Sequence, residues 1–137
     1  MRVHVTQIAD DGFPMPGAFR NRDNPLDPNA PKGMSTDWSK YATPAETRAR
    51  APHSSAEQIG VIALRVRGVR ALYRQQVEHS PWHQDPELPE NPNNRAHTDV
   101  IGPKSKSEAA GPDERIEVLG VRSGLVELSQ WEIFPGG

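Results

Sequence analysis

Proline cuts this chain into short pieces. The 137 residues include 14 prolines and 11 glycines, and the proline share is about twice the usual 5% or so. Two stretches hold most of them: "DDGFPMPGAFRNRDNPLDPNAPKG", residues 10 to 33, has five prolines and three glycines, and "PWHQDPELPENPNN" has four prolines. Each proline fixes φ and removes a backbone donor, so neither stretch can be a long helix or a central strand. Regular structure is left to the segments between them. Long loops in a compact domain are commonly functional, which makes loops 10 to 33 and 80 to 95 the places to expect a site.

The intervening segments read as an alternation of short strands and helices. "RVHVTQI" has the period of two of a strand, with Val3 and Val5 on one face and His4, Thr6 and Ile8 on the other. Thr43, Pro44 and Glu46 stand as N-cap, first helical residue and N3. The threonine hydroxyl can accept from the N3 amide while the glutamate reaches back to the N-cap amide, which predicts a helix from Pro44 to about Arg50. "IGVIALRV", residues 59 to 66, is nearly continuous apolar sequence and fits a buried strand. One or two helical turns follow in "RGVRALYRQ", then a strand through Val77 ending at Pro81. "AHTDVIG" is a strand with His97, Asp99 and Ile101 on one face and Thr98 and Val100 on the other. Pro112 and Asp113 open a helix with Ile116, Leu119 and Ser123 near one stripe, weakened at Gly120, and "LSQWEIF" is a closing strand. The length suits one domain, residues 1 to 137, and the alternation predicts an α+β fold: a small mixed or antiparallel sheet with two or three short helices and long proline-rich loops.

Charge and composition exclude several classes. Sixteen basic and 18 acidic residues give a formal charge of −2, which argues on net charge against nucleic acid as a partner, because nucleic-acid binders show a basic balance or patch. The local run Arg65, Arg67, Arg70 and Arg74 could face a phosphate or an acidic partner, or simply solvate a surface. Without cysteine the chain has no disulfide, thiolate chemistry or cysteine zinc site. No apolar run has the length of a signal peptide or a membrane helix, so the expectation is a cytoplasmic protein with no membrane partner. Walker and G-x-G-x-x-G phosphate loops are absent, and no cofactor is expected.

The candidate chemistry gathers around the second loop. His79, His83 and His97 stand there with Glu78, Asp85 and Asp99, all suitable metal ligands. Pro81 inside "HSPWH" disfavours the helix that would align the first two rings, and no metal is expected. His79 and His97 could instead form an acid–base pair acting on a phosphodiester or nucleotide, with Arg95, Lys104 or Lys106 stabilising negative charge. Ser35 in "KGMSTDW" lacks the glycines of a nucleophile elbow, and no base is adjacent to it in sequence. Ser35 and Asp37 beside Trp38 and Tyr41 can line a binding pocket, and Trp82 is hard to bury in so polar a loop.

"GMSTDWSKYATPAE", "VEHSP" and "NPNNRAHTDVIGPK" together resemble a group of small bacterial proteins over roughly residues 30 to 105. The resemblance implies a bacterial origin and transfers no catalytic residue. The leading expectation is a protein-binding or accessory module presenting Trp38, Tyr41, Trp82 and the 79 to 97 loop to an unidentified protein partner. The alternative is the small enzyme with the His79 and His97 pair.

Overall fold

A computed structural model describes residues 1–24, 27–51, 56–83 and 93–136. In chain order the described residues form β1 (Arg2–His4), β2 (Gly33–Asp37), α1 (Pro44–Ala49), β3 (Ile59–Ala63), α2 (Val66–Arg70), β4 (Gln76–His79), β5 (His97–Ile101), α3 (Pro112–Leu128) and β6 (Gln130–Ile133). The fold is α+β. Its strands divide between two antiparallel three-stranded sheets, ordered β1-β3-β6 and β2-β5-β4.

The local reasons for these elements are visible in the side chains. Thr43 Oγ1 accepts from the Glu46 amide at 3.2 Å, and the Glu46 carboxylate accepts from the threonine hydroxyl at 3.1 Å instead of from the threonine amide. With Pro44 at the first position, this cap starts α1 where the pattern predicts it. The apolar run 59 to 66 supplies β3 as far as Ala63; its central position in its sheet, between β1 and β6, explains why four of its five residues are buried. β4 and β5 make a hairpin that is extended on its loop side by a bridge between Trp82 and Asn94.

Two expectations from periodicity are corrected. The first strand stops at His4, because the His4 ring accepts from the Thr6 amide at 3.2 Å and starts a single 3-10 turn over Val5–Gln7. A side chain that caps its own backbone ends the ladder there. In α3 the buried stripe is Val118, Val121 and Leu125, whereas Ile116 is 78% exposed and Leu119 is also exposed. The spacing of three and four is helical, but the helix turns Val118, Val121 and Leu125 to the core and leaves Ile116 and Leu119 outside it.

Val3, Phe19, Met34, Ile62, Val69, Val100, Val121 and Leu125 form that core, drawn from both sheets, α2, α3 and the first proline-rich loop. Phe19 anchors the loop in the core, while Phe13 and Met15 stay exposed, and Leu26 lies outside the described residues. The two helices approach through glycines. A Cβ on Gly68 of α2 would stand 2.6 Å from Leu128 Cδ2, and one on Gly124 of α3 would stand 2.5 Å from Leu72 Cδ2. Each leucine thus fills the space above a glycine of the other element.

Lys104, a candidate for stabilising negative charge on a substrate, is wholly buried. Its ammonium donates to Asn21 Oδ1 at 2.6 Å, to the Val100 carbonyl at 2.9 Å and to the Gly102 carbonyl at 3.0 Å. Burial pushes its pKa down from 10.5 to about 8, against the pull of Glu108. It ties the end of β5 to the first loop and is not free to stabilise charge on a substrate. Lys106 is exposed on a 3-10 turn.

Candidate functional site

The register of the β2-β5-β4 sheet decides which candidate residues meet. His97 pairs with Asp37, Thr98 with both Thr36 and His79, and Asp99 with both Ser35 and Glu78. Because successive side chains leave a strand on opposite faces, Ser35, Asp37, His97, Asp99 and Glu78 share one face. Thr36, Thr98, Val100, Val77 and His79 share the other. His79 and His97 are therefore on opposite faces of the sheet, and the structure does not bring them to one substrate atom as the acid–base pair requires.

The first face carries a dense polar network. His97 is only 2% exposed, and Trp82 lies over its ring with centroids 3.8 Å apart and planes at 21°. His97 Nδ1 is 2.9 Å from the Ser80 carbonyl oxygen, which can only accept, so Nδ1 carries a proton and donates to it. In the neutral ring Nε2 is then an acceptor, and Ser35 Oγ, 3.2 Å away, donates to it. Asp99 Oδ1 lies 3.6 Å from the same nitrogen, and Asp99 Oδ2 accepts from the Ser80 hydroxyl at 2.9 Å. The sequence shows no base near Ser35; strand pairing supplies one.

Asp37 is the hub of the adjoining cluster. It accepts from Thr47 Oγ1 and Asn94 Nδ2, both at 2.8 Å, and lies 3.4 Å from Arg50 Nε. Its side chain is buried, and its charge also opposes the burial that lowers the Arg2 pKa. α1 places Thr47 and Arg50; the turn before β5 places Asn94, whose Oδ1 also accepts from the Ala96 amide at 3.0 Å. A pocket of about 320 Å³ opens here, lined by Arg2, Ser35, Arg50, Asn94, His97 and Trp82 among others. The Trp82 indole Nε1 is buried and has no hydrogen-bond partner among the described residues.

The second face leads into a larger cleft between the two sheets. Its volume is about 780 Å³; Ile62, Val69, Val77 and Val100 form an apolar floor, with Trp38, His79, Arg65, Arg70, Asp37 and Glu132 among the residues around it. Trp38, Tyr41 and His79 make an aromatic cluster with centroid separations of 5.1 to 5.4 Å. The Arg95 guanidinium lies 4.2 Å from the Tyr41 ring centre, and Lys40 Nζ sits 5.3 Å from Trp38 and 5.5 Å from Tyr41. His79 Nε2 donates to the Arg95 carbonyl at 2.8 Å, which fixes the ring against the turn. Of the arginine run, Arg65 and Arg70 reach the cleft, while Arg74 is paired with Glu114 at 2.7 Å.

The candidate binding residues accordingly divide: Trp38 and Tyr41 gather with His79 and Arg95, whereas Ser35 and Trp82 gather with His97. Asp37 borders both pockets. Sequence reading missed Asn94, Thr47 and Arg50 as partners of Asp37; a carboxylate between two turns was the only available signal. Among the described residues no group of three His, Asp or Glu side chains is placed to hold a metal ion, and Asp85 lies outside them. No described helix is long and apolar enough to cross a membrane. Comparison with protein-family models, curated proteins and solved structures gives no match.

Proposed function

We propose that this protein is a binding module, and that it takes a segment of a partner protein into the cleft between its sheets. The observation that carries this reading is the coincidence of an apolar-floored cavity of about 780 Å³ with an aromatic cluster at its edge. Specific pockets combine this range of volume, a hydrophobic lining and a few polar groups, and exposed tryptophan and tyrosine are the residues that most often anchor interfaces. Trp38 is 38% exposed despite its size, so it is available to a partner.

The charges around the cleft favour an acidic partner. Arg65 and Arg70 line it, and Lys40 and Arg95 flank its aromatic cluster. Of the two carboxylates, Asp37 is engaged by Thr47, Asn94 and Arg50, which leaves Glu132. The segment that fits is one with a large apolar side chain flanked by Asp or Glu. Trp82, expected at this surface, covers His97 on the other face and is not part of it.

Selection of a displayed peptide library on the protein tests this reading. The expected winners carry an aromatic or leucine residue between carboxylates and bind Trp38→Ala at least tenfold more weakly. Winners without acidic residues, or equal binding to Trp38→Ala, would overturn it.

A further inference from the structure

We infer that the face opposite the cleft is a second, chemically distinct site, in which Ser35 is a nucleophile and His97 its general base for cleaving small acyl esters. The inference is independent of the binding module reading, since the two sites lie on opposite faces of one sheet.

Three relations carry it. First, Ser35 Oγ donates to His97 Nε2 at 3.2 Å, the contact through which a base removes a serine proton. Second, the orientation of the base is fixed: its Nδ1 is held by the Ser80 carbonyl at 2.9 Å, and Trp82 stacks on the ring at 3.8 Å. The backbone carbonyl thereby selects the tautomer whose free lone pair faces Ser35. Third, Ser35 is exposed while His97 is buried, and both line the pocket of about 320 Å³. A substrate can reach the hydroxyl while bulk water is kept from the ring.

The surrounding charge suits the reaction. Asp99 Oδ1, 3.6 Å from Nε2, attracts the imidazolium that forms once the serine proton has moved. Arg2 and Arg50 line the same pocket and Arg50 is paired with Asp37, which leaves Arg2 as the cation available to a developing oxyanion. A pocket of about 320 Å³ has room for a short acyl group beside the hydroxyl.

The reaction follows from these positions. Ser35 Oγ bonds to the ester carbonyl carbon as its proton passes to His97 Nε2. The tetrahedral adduct collapses, the bond to the alkoxy oxygen breaks, and the departing alcohol takes the proton from Nε2. Water, deprotonated by the same nitrogen, then attacks the acyl-serine; the carboxylic acid leaves and Ser35 recovers its proton.

A fluorophosphonate reagent tests the site, because an activated serine displaces its fluoride and keeps the phosphonyl group. The full chain is incubated with the reagent, and adducts are located by peptide mass spectrometry; hydrolysis of p-nitrophenyl acetate is followed in parallel. The expected result is a single adduct on Ser35, formed about 100-fold faster than on any other serine, and ester hydrolysis abolished by Ser35→Ala. His97→Gln, checked for folding by circular dichroism, should reduce labelling by a similar factor. Because Ser35 is exposed, Ser35→Ala tests the idea even if His97→Gln fails to fold. No adduct on Ser35, or hydrolysis unchanged in Ser35→Ala, would overturn it. Trp38→Ala should label normally, which keeps this test apart from that of the cleft.

Discussion

The two faces of the β2-β5-β4 sheet are built from alternate residues of the same strands, yet they solve opposite problems. On one, Ser35, Asp37, His97 and Asp99 are fastened by hydrogen bonds to groups on α1, the β4 end and the turn before β5. On the other, Val77, Val100 and His79 border open space. The polar face has little freedom, because each buried group depends on its partners. The cleft face has fewer such obligations at its rim, so the exposed His79 can be changed with less effect on the fold, whereas Val100 belongs to the core. The comparison teaches that rigidity and accessibility here are separated by one step along a strand.

Removing the hub of the polar face should break the contrast most severely. Asp37→Ala leaves Thr47, Asn94 and Arg50 without their acceptor and is expected to cost about 3 kcal/mol, the upper figure for leaving partly buried hydrogen-bonding groups unsatisfied; urea unfolding measures it. The two histidines offer a sharper comparison with identical chemistry. His97→Ala loses a stacked ring and its hydrogen bonds and should cost about 2 kcal/mol, whereas His79→Ala, at an exposed position, should cost less than about 1 kcal/mol. Equal costs would show that the faces do not differ in this way.

An effect of comparable size concerns pH at the end of the shared strand. Lys104 has its pKa lowered by burial from 10.5 to about 8, so between these values the unfolded chain holds a proton that the folded chain has released. Stability contributed by this group therefore rises with pH through that window and is lost as pH falls through about 8. Thermal unfolding of the protein against Lys104→Met should show their difference moving in favour of the native lysine as pH rises from 8 towards 10.5.

Local elements were legible in the sequence where short-range chemistry dictates them. The Thr43 cap, the apolar run of β3 and the face shared by His97 and Asp99 depend on residues within a few positions of one another. The candidate sites were legible only in their parts. Ser35 meets His97 across a strand pairing, and His79 is separated from His97 by the register of a hairpin, neither of which any local pattern encodes. The burial of Lys104 was not legible for a related reason: a lysine among serines reads as solvated, and only the carbonyls at the end of β5 and Asn21 make its burial tolerable.

The order β1-β3-β6 has a consequence for how the chain reaches this state. β2, β5 and β4 all lie between residues 33 and 101, but β3 receives one neighbour from near the beginning of the chain and the other from near its end. Closing such distant contacts is slow compared with forming a hairpin, so the β4-β5 hairpin is expected to precede the sheet built on β3. Until β6 docks, the backbone of β3 shows an unpaired edge along Val61, Ile62 and Ala63, an invitation to the same segment of another molecule. A chain cut after Leu128 would remain in that condition and should assemble edge to edge.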